Sequence, residues 1–119
     1  MLRILHAFKY AFQGLVYLFK TQANARFHLG MAAIVVLAGT YFNITKTEWI
    51  TITICIVGVI GFEAINTAIE ALCDAVHPEQ HPLIKAAKDV GAAAVLLISF
   101  GAVICGILVF WPYILRFFS

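Results

Sequence analysis

The sequence predicts an all-α integral membrane protein in which three transmembrane helices follow an N-terminal amphipathic helix on the membrane surface. Of the 119 residues, 63% are hydrophobic and 12% are charged, so a soluble domain would lack the polar surface to cover its core. Three apolar stretches are each long enough to cross about 30 Å of hydrocarbon at about 1.5 Å per residue. Residues 1–119 therefore form a single membrane domain, and no basic patch indicates nucleic acid as a partner.

The first segment, residues 1–24, has the periodicity of a surface helix. Its polar side chains share one arc of the helix: Arg3, His6, Lys9, Gln13 and Lys20. Large apolar side chains occupy the opposite arc, a pattern typical of a helix that lies in the membrane interface. A secretory signal peptide is the alternative, since Ala23-Asn24-Ala25 imitates a cleavage site. Lys9 and Gln13 interrupt the apolar region that a signal peptide needs, which favours the surface helix.

Three transmembrane segments are predicted: residues 27–45, 49–73 and 90–115. The first carries no formal charge, and Trp49 marks the interface at which the chain re-enters the bilayer. Pro78 and Pro82 end the second helix, because a proline removes a backbone donor and disfavours helical geometry in the residue before it. The third span is uncharged and ends near Trp111 at the far interface. Gly91, at its start, allows another helix to approach closely.

The basic residues near the ends of the spans predict the orientation of the chain. Six of them fall on the side shared by the surface helix and the loop at the prolines: Arg3, Lys9, Lys20, Arg26, Lys85 and Lys88. Only Lys46 and Arg116 fall on the other side. Because segments rich in lysine and arginine stay on the cytoplasmic face, we expect a protein of the cytoplasmic (inner) membrane whose proline loop lies in the cytoplasm.

A polar stripe occupies the last third of the second span. Its members fall on one side of a helix at about 3.6 residues per turn: Glu63, Asn66, Thr67, Glu70 and Asp74. Ionisable side chains inside a membrane are energetically costly, and they mark functional sites by default. The amide of Asn66 also needs partners, since buried amides are hydrogen-bonded. We therefore expect the functional site at this stripe, near the cytoplasmic face.

The two glutamates of the stripe suit two different roles. Glu63 and Glu70 lie about 10 Å apart along a helix axis, which is too far for the two alone to hold one metal ion. Glu63 lies deeper in the bilayer and suits a general base, whereas Glu70 lies nearer the headgroups and suits a hard cation. Three alternatives remain: acids that pair with neighbouring helices, a small ion-coupled carrier, and a helix-packing subunit with no chemistry of its own.

The loop between the second and third spans contributes further polar residues. His77 and His81 have a spacing that binds zinc on a helix, but the two prolines break that helix. We expect His81 to cap or orient a group in the loop. Lys88 lies near the stripe, followed by Asp89, and this nearness favours a contact between Lys88 and a phosphate.

The segment Glu63–Glu70, which reads EAINTAIE, resembles the signature of the prokaryotic diacylglycerol kinase and undecaprenol kinase family. The resemblance continues through Asp74, the segment 79–83 (EQHPL) and the segment 87–89 (AKD), and it covers nearly the whole chain. It implies a homotrimer of three-span subunits, each with a surface helix. It also implies an enzyme that transfers the terminal phosphate of ATP, bound with Mg²⁺, to the hydroxyl of a membrane lipid.

The resemblance implies a role for each matching residue. Glu63 matches the proposed general base, Asn66 a polar residue of the same site, and Glu70 a magnesium ligand. Contacts with the nucleotide are implied for a larger set: Arg3, Tyr10, Glu79, Gln80, His81, Lys88 and Asp89. The loop sequence at 81–83 is similar to that of members acting on undecaprenol, which favours undecaprenol over diacylglycerol as the acceptor.

Gln22 departs from the family pattern. It stands where well-known members have a second magnesium-binding glutamate. A neutral amide oxygen binds magnesium more weakly than a carboxylate does. Because every other catalytic position is filled, we expect Gln22 to be the weaker metal ligand beside Glu70; the alternative is an impaired enzyme.

Overall fold

The computed structural model describes residues 1–119 and consists of four helices joined by short connections. They are α1 (Leu2–Thr21), α2 (Ala23–Phe42), α3 (Lys46–Val76) and α4 (Pro82–Phe117). The predicted all-α fold is confirmed. By length and composition, α2, α3 and α4 could each cross a membrane, which agrees with the number of predicted spans.

The helices differ in extent from the predicted segments. Where the sequence predicts a span at 27–45, α2 both begins and ends earlier, and α3 extends beyond 49–73 at both ends. Residues 83–89 and the span 90–115 form one continuous helix, α4. With 31 and 36 residues, α3 and α4 are about 46 and 54 Å long, more than the about 30 Å of a hydrocarbon core. Helical hydrogen bonding therefore continues past the point where the apolar sequence ends.

The third helix lies at the centre of the fold. α3 makes its most extensive contacts with α4, and it also packs against α2 and, at fewer positions, α1. α3 approaches α4 closely at Gly91, which is buried: a Cβ atom there would collide with Oδ1 of Asn66. Gly91 thus permits the close helix contact predicted for it, and that contact is made to the polar stripe itself.

Side-chain hydrogen bonds join the helices at the end of the molecule where α3 begins. Asn43 ends α2 in the left-handed conformation, with φ of 54°, and Thr45 then caps α3. Glu48 completes the capping box by accepting the N–H of Thr45 at 2.9 Å. The same carboxylate oxygen accepts the hydroxyl of Tyr113 at 2.5 Å. The start of α3 is therefore tied to the end of α4.

At the opposite end, α1 and α2 meet at one extended residue, Gln22, with φ of −111° and ψ of 110°. Arg26 reaches back from α2, and its Nη1 donates to the carbonyls of Phe19 at 2.9 Å and Lys20 at 3.0 Å. A cationic side chain on the last carbonyls of a helix satisfies free acceptors and complements the helix dipole. The angle between α1 and α2 is therefore held by Arg26.

Candidate functional site

The polar stripe on α3 passes from the buried interior to the exposed end of the helix. Glu63 is 3% exposed, Thr67 6% and Asn66 8%. One turn further, Glu70 is half-buried, and Asp74 is exposed. The α3–α4 contact at Gly91 and the contact with α2 provide this burial. The stripe therefore connects a buried carboxylate with the surface through a series of polar side chains.

Two hydrogen bonds organise the stripe along the helix. The hydroxyl of Thr67 donates to the backbone carbonyl of Glu63 at 2.9 Å, and the amide of Asn66 donates to Oε1 of Glu70 at 3.2 Å. Residues four apart on a helix face are neighbours, which is why these bonds form without other elements. Asn66 therefore holds the carboxylate of Glu70 in place.

Two buried oxygen atoms of the stripe have no hydrogen-bond partner, Oε2 of Glu63 and Oδ1 of Asn66. Nearly all buried polar atoms in proteins are hydrogen-bonded, so each exception requires a reason. Both are hard oxygen atoms of the kind that binds a magnesium ion, and the carboxylate oxygen of Glu63 can also accept a proton. These two oxygen atoms of the stripe can therefore still accept a hydrogen bond from a hydroxyl, bind a cation, or do both.

Sequence reasoning missed one neighbour of this carboxylate, His28. The histidine lies on α2, and its Nε2 is 3.8 Å from Oε2 of Glu63. The side chain of His28 is 19% exposed. A signal existed in the sequence, because His28 is an ionisable residue inside the predicted first span, where such residues are functional by default.

An apolar cavity lies between α2, α3 and α4, with a volume of about 560 Å³. Fifteen of its 18 lining residues are hydrophobic, which suits a hydrocarbon chain. Along α4 the lining reaches from Ser99 to Ile114, and Phe27 and His28 line it from α2. Because His28 also approaches Glu63, the cavity adjoins the buried end of the stripe.

A second cavity of about 550 Å³ lies at the loop between α3 and α4, and only one of its ten lining residues is hydrophobic. The lining includes five residues singled out in the sequence: Glu79, Gln80, His81, Lys88 and Asp89. We call this cavity the loop pocket. The predicted capping role of His81 is confirmed, since its Nδ1 accepts the N–H of Leu83 at 3.1 Å at the start of α4.

Two lysine–aspartate ion pairs border the loop pocket. Nζ of Lys88 donates to Oδ1 of Asp74 at 2.5 Å, joining α4 to the exposed end of the stripe. Lys85 and Asp89 pair at 2.7 Å within α4. The Lys88–Asp74 pair therefore links the polar loop pocket to the stripe.

Three predicted site residues are not joined to these groups by hydrogen bonds or ion pairs. Arg3 and Tyr10 are exposed on α1, and neither forms such a contact with the stripe or the loop pocket. The side chain of Gln22 donates only to Thr21, at 3.5 Å. Within one chain, hydrogen bonds and ion pairs thus join site residues of α3, α4 and the loop between them. Arg3, Tyr10 and Gln22 do not take part in these contacts.

The helices and the buried polar stripe define a helical membrane protein with a polar site at one end of its bundle. The family described as prokaryotic diacylglycerol kinase matches residues 9–110, so the chain belongs to this family and is a lipid kinase. The resemblance seen in the sequence is therefore confirmed.

Individual relatives differ in the lipid that their names specify. The undecaprenol kinase of Bacillus subtilis is 36% identical over 110 residues, which are 92% of this chain and 89% of the relative. A Synechocystis diacylglycerol kinase is 38% identical over 87% of this chain, although the match spans only 59% of that protein. The diacylglycerol kinase of Haemophilus influenzae is 30% identical over 96% of this chain and 92% of its own length.

Proposed function

We propose that this lipid kinase transfers the terminal phosphate of ATP to the hydroxyl of undecaprenol, at the cytoplasmic side of the inner membrane. In this proposal Glu63 accepts the proton of the hydroxyl. The observation that carries the proposal is the buried Glu63 carboxylate, whose Oε2 has no hydrogen-bond partner beside an apolar cavity. A structural carboxylate at that depth would need its hydrogen bonds satisfied by the protein.

The loop pocket is the proposed place of the nucleotide. Its lining is polar, it contains Lys85 and Lys88, and it joins the stripe through the Lys88–Asp74 pair. Ammonium groups attract phosphate oxygens, so Lys88 can exchange Asp74 for the phosphates of ATP. The nucleotide would then approach from the cytoplasm, and its terminal phosphate would point towards Glu70 and Glu63.

The apolar cavity is the proposed path of the lipid chain. A hydrocarbon tail in this cavity stays among apolar side chains while its hydroxyl reaches the boundary at His28 and Glu63. Lipid and nucleotide would therefore meet at the stripe from two directions, one through the bilayer and one through water. Such positioning of two reactants accounts for a large share of catalysis in phosphoryl transfer.

The residues present fit a magnesium ion. Glu70 would hold it, and the unpartnered oxygen of Asn66 adds a further hard donor nearby; Gln22 stays in the proposal as a weaker oxygen ligand on the sequence resemblance alone, since its side chain bonds only to Thr21. When bound, the ion would neutralise negative charge on the transferred phosphate.

The reaction assigns one task to each residue of the stripe. Glu63 takes the proton of the lipid hydroxyl while that oxygen forms its bond to phosphorus and the bond to the leaving ADP breaks. Asn66 holds Glu70 through their hydrogen bond. Lys88 binds phosphate oxygens and keeps the nucleotide oriented. The proton ends on Glu63, and the negative charge of the leaving group ends on ADP.

The proposal includes self-association into a homotrimer. Arg3 and Tyr10 form no hydrogen bond or ion pair with the loop pocket of their own chain. A neighbouring copy is a partner that could bring such residues to a nucleotide. Helices that carry polar groups in a membrane also gain from packing against further helices.

We propose undecaprenol rather than diacylglycerol as the acceptor for two reasons. The loop sequence at 81–83 is similar to that of undecaprenol-specific members, and the B. subtilis undecaprenol kinase matches nearly the full length of both chains. The Haemophilus diacylglycerol kinase also matches over nearly its full length, at the lower identity of 30%. The choice between acceptors therefore needs a direct assay.

The assay is ADP formation by the purified protein in detergent micelles, with ATP, Mg²⁺ and one lipid at a time. Undecaprenol, diacylglycerol and ceramide form the panel, and micelles without added lipid are the control. We expect ADP formation to depend on lipid and to be fastest with undecaprenol. Absence of lipid-dependent ADP formation would contradict the proposed reaction. A faster rate with diacylglycerol would contradict only the choice of acceptor.

A further inference from the structure

His28 is the charged or polar residue of α2 that lies nearest to the proposed base. Its Nε2 faces Oε2 of Glu63 at 3.8 Å, and no other ion-pair partner of Glu63 is present in the chain. That separation is longer than a hydrogen bond, so the histidine approaches the carboxylate without satisfying it. Contacts of catalytic groups are often long in a free enzyme and shorten when substrate binds.

The contact involves the carboxylate oxygen that lacks a partner. Oε2 of Glu63 receives no hydrogen bond from the protein, although the side chain is almost fully buried. An ionised carboxylate in such a place is stabilised by any N–H donor that can reach it. His28 is the residue whose ring nitrogen is already within 1 Å or so of that reach, taking about 2.9 Å as a normal bond.

His28 also belongs to the lining of the apolar cavity. It therefore stands between two features of the proposed reaction, the hydrocarbon path on one side and the base on the other. The rings of Phe27 and His28 meet edge to face, with ring centroids 5.7 Å apart. A hydroxyl that arrives along the cavity meets Glu63 at the position where His28 approaches it.

We propose that His28 is a positioning residue for phosphorylation of the lipid. Nε2–H donates to one lone pair of Oε2 of Glu63 and so fixes the rotation of the carboxylate, whose remaining lone pairs face the lipid hydroxyl. His28 keeps its proton throughout, while Glu63 takes the hydroxyl proton as the new bond to phosphorus forms and the bond to ADP breaks. This inference rests on the proposed function, because it assigns the base to Glu63.

Two substitutions separate positioning from a general structural role. His28→Gln keeps an N–H donor at nearly the same reach, whereas His28→Leu removes the donor and keeps the bulk. With undecaprenol as acceptor, we expect His28→Leu to lower kcat by about tenfold to a hundredfold, because misplacement of a reacting group has effects of that size. KM for ATP should stay unchanged, and His28→Gln should retain most of the wild-type kcat.

A double-mutant comparison tests whether His28 acts through Glu63. In the Glu63→Gln background, adding His28→Leu should cause no further loss of the residual rate, because the group to be positioned has gone. Three results would each overturn the inference. His28→Leu could have the same kcat as the wild type, or the Gln and Leu variants could lose kcat equally. In the double variant, the losses from the two substitutions could be additive.

The outcomes also distinguish this inference from the proposed function. If the wild-type protein forms no ADP with any lipid, or if Glu63→Gln remains fully active, the proposed function fails. If the wild-type protein forms ADP with a lipid and Glu63→Gln loses activity, but His28→Leu is as active as wild type, only the role of His28 fails. Should the Leu variant not fold, His28→Asn replaces it, since its shorter amide cannot reach Glu63 and should be slower than His28→Gln.

Discussion

Glu48 and Glu63 lie on the same helix, yet their surroundings differ completely. Oε1 of Glu48 accepts hydrogen bonds from the N–H of Thr45 and the hydroxyl of Tyr113. Oε2 of Glu63 is buried and accepts none. The first carboxylate has its bonding capacity used by the protein, so it joins α3 to α4. The second has capacity left, so it can act on a substrate. The two carboxylates thus differ in the number of their protein hydrogen bonds, and the proposed base is the one that has none at Oε2.

The largest effect is expected from removing the charge of the partnerless carboxylate. Glu63→Gln keeps the shape of the side chain but cannot accept the hydroxyl proton, so kcat should fall by about a hundredfold or more. Folding, followed by circular dichroism and gel filtration, and binding of ATP should be retained. Substantial turnover by this variant would refute the assignment of Glu63 as the base.

Glu48→Gln is the matched control for this substitution, since it makes the same chemical change on the same helix. We expect its kcat to equal that of the wild type, while its thermal unfolding temperature falls because hydrogen bonds to Thr45 and Tyr113 weaken. A loss of activity as large as that of Glu63→Gln would remove the contrast between the two acids.

A smaller effect than that of Glu63→Gln is expected from Gly91→Ala, which leaves the acids of the stripe unchanged but displaces Asn66. The new Cβ atom would collide with Oδ1 of Asn66, displacing the amide that holds Glu70. Such overpacking typically costs about 1–3 kcal/mol of stability. We expect both the unfolding temperature and kcat to fall. Gly101→Ala, where a Cβ meets nothing within 4 Å, is the control: it should leave kcat unchanged and should not lower the unfolding temperature, because alanine is the better helix former.

Lys88→Met should act mainly on the nucleotide. Loss of one charged contact to a phosphate is expected to raise KM for ATP by about tenfold, as hydrogen bonds to charged groups commonly contribute that much to binding. Lys85→Met should raise KM less, because Lys85 pairs with Asp89 on its own helix whereas Lys88 bridges to the stripe at Asp74. Steady-state kinetics at varied ATP concentration measures both, and a reversed order would contradict the placement of Lys88.

The smallest effect concerns the metal. Gln22→Glu should lower the magnesium concentration needed for half the maximal rate, because a carboxylate binds this ion better than an amide does. Titration of activity with MgCl₂ at saturating ATP measures the change. An unchanged magnesium dependence would remove Gln22 from the metal site and leave Glu70 as the proposed ligand.

Much of the fold could be predicted from the sequence because its determinants are local. Hydropathy predicts the three long helices, and the prolines predict the break between α3 and α4. Helical periodicity predicts that Glu63 and Asn66 lie on one side of α3. The close contact at Gly91 was also predictable, since small residues recur where membrane helices meet.

Contacts between residues far apart in sequence could not be predicted in the same way. Tyr113 and Glu48 are 65 positions apart, and their hydrogen bond depends on how α4 passes α3. The approach of His28 to Glu63 likewise depends on the packing of α2. Hydropathy is a property of each segment alone, so it carries no information on which side chains meet across two helices.

The length of α3 has a consequence for the fate of the product. Counted from Trp49, the predicted interface residue, about 20 residues of α3 would cross the hydrocarbon, which would place Glu70 at the opposite headgroup level. At that level a phosphate can be added to the lipid while the nucleotide stays outside the hydrocarbon core and the lipid tail stays inside it. Under the proposed function, the phosphorylated lipid would therefore remain in the leaflet in which the reaction takes place.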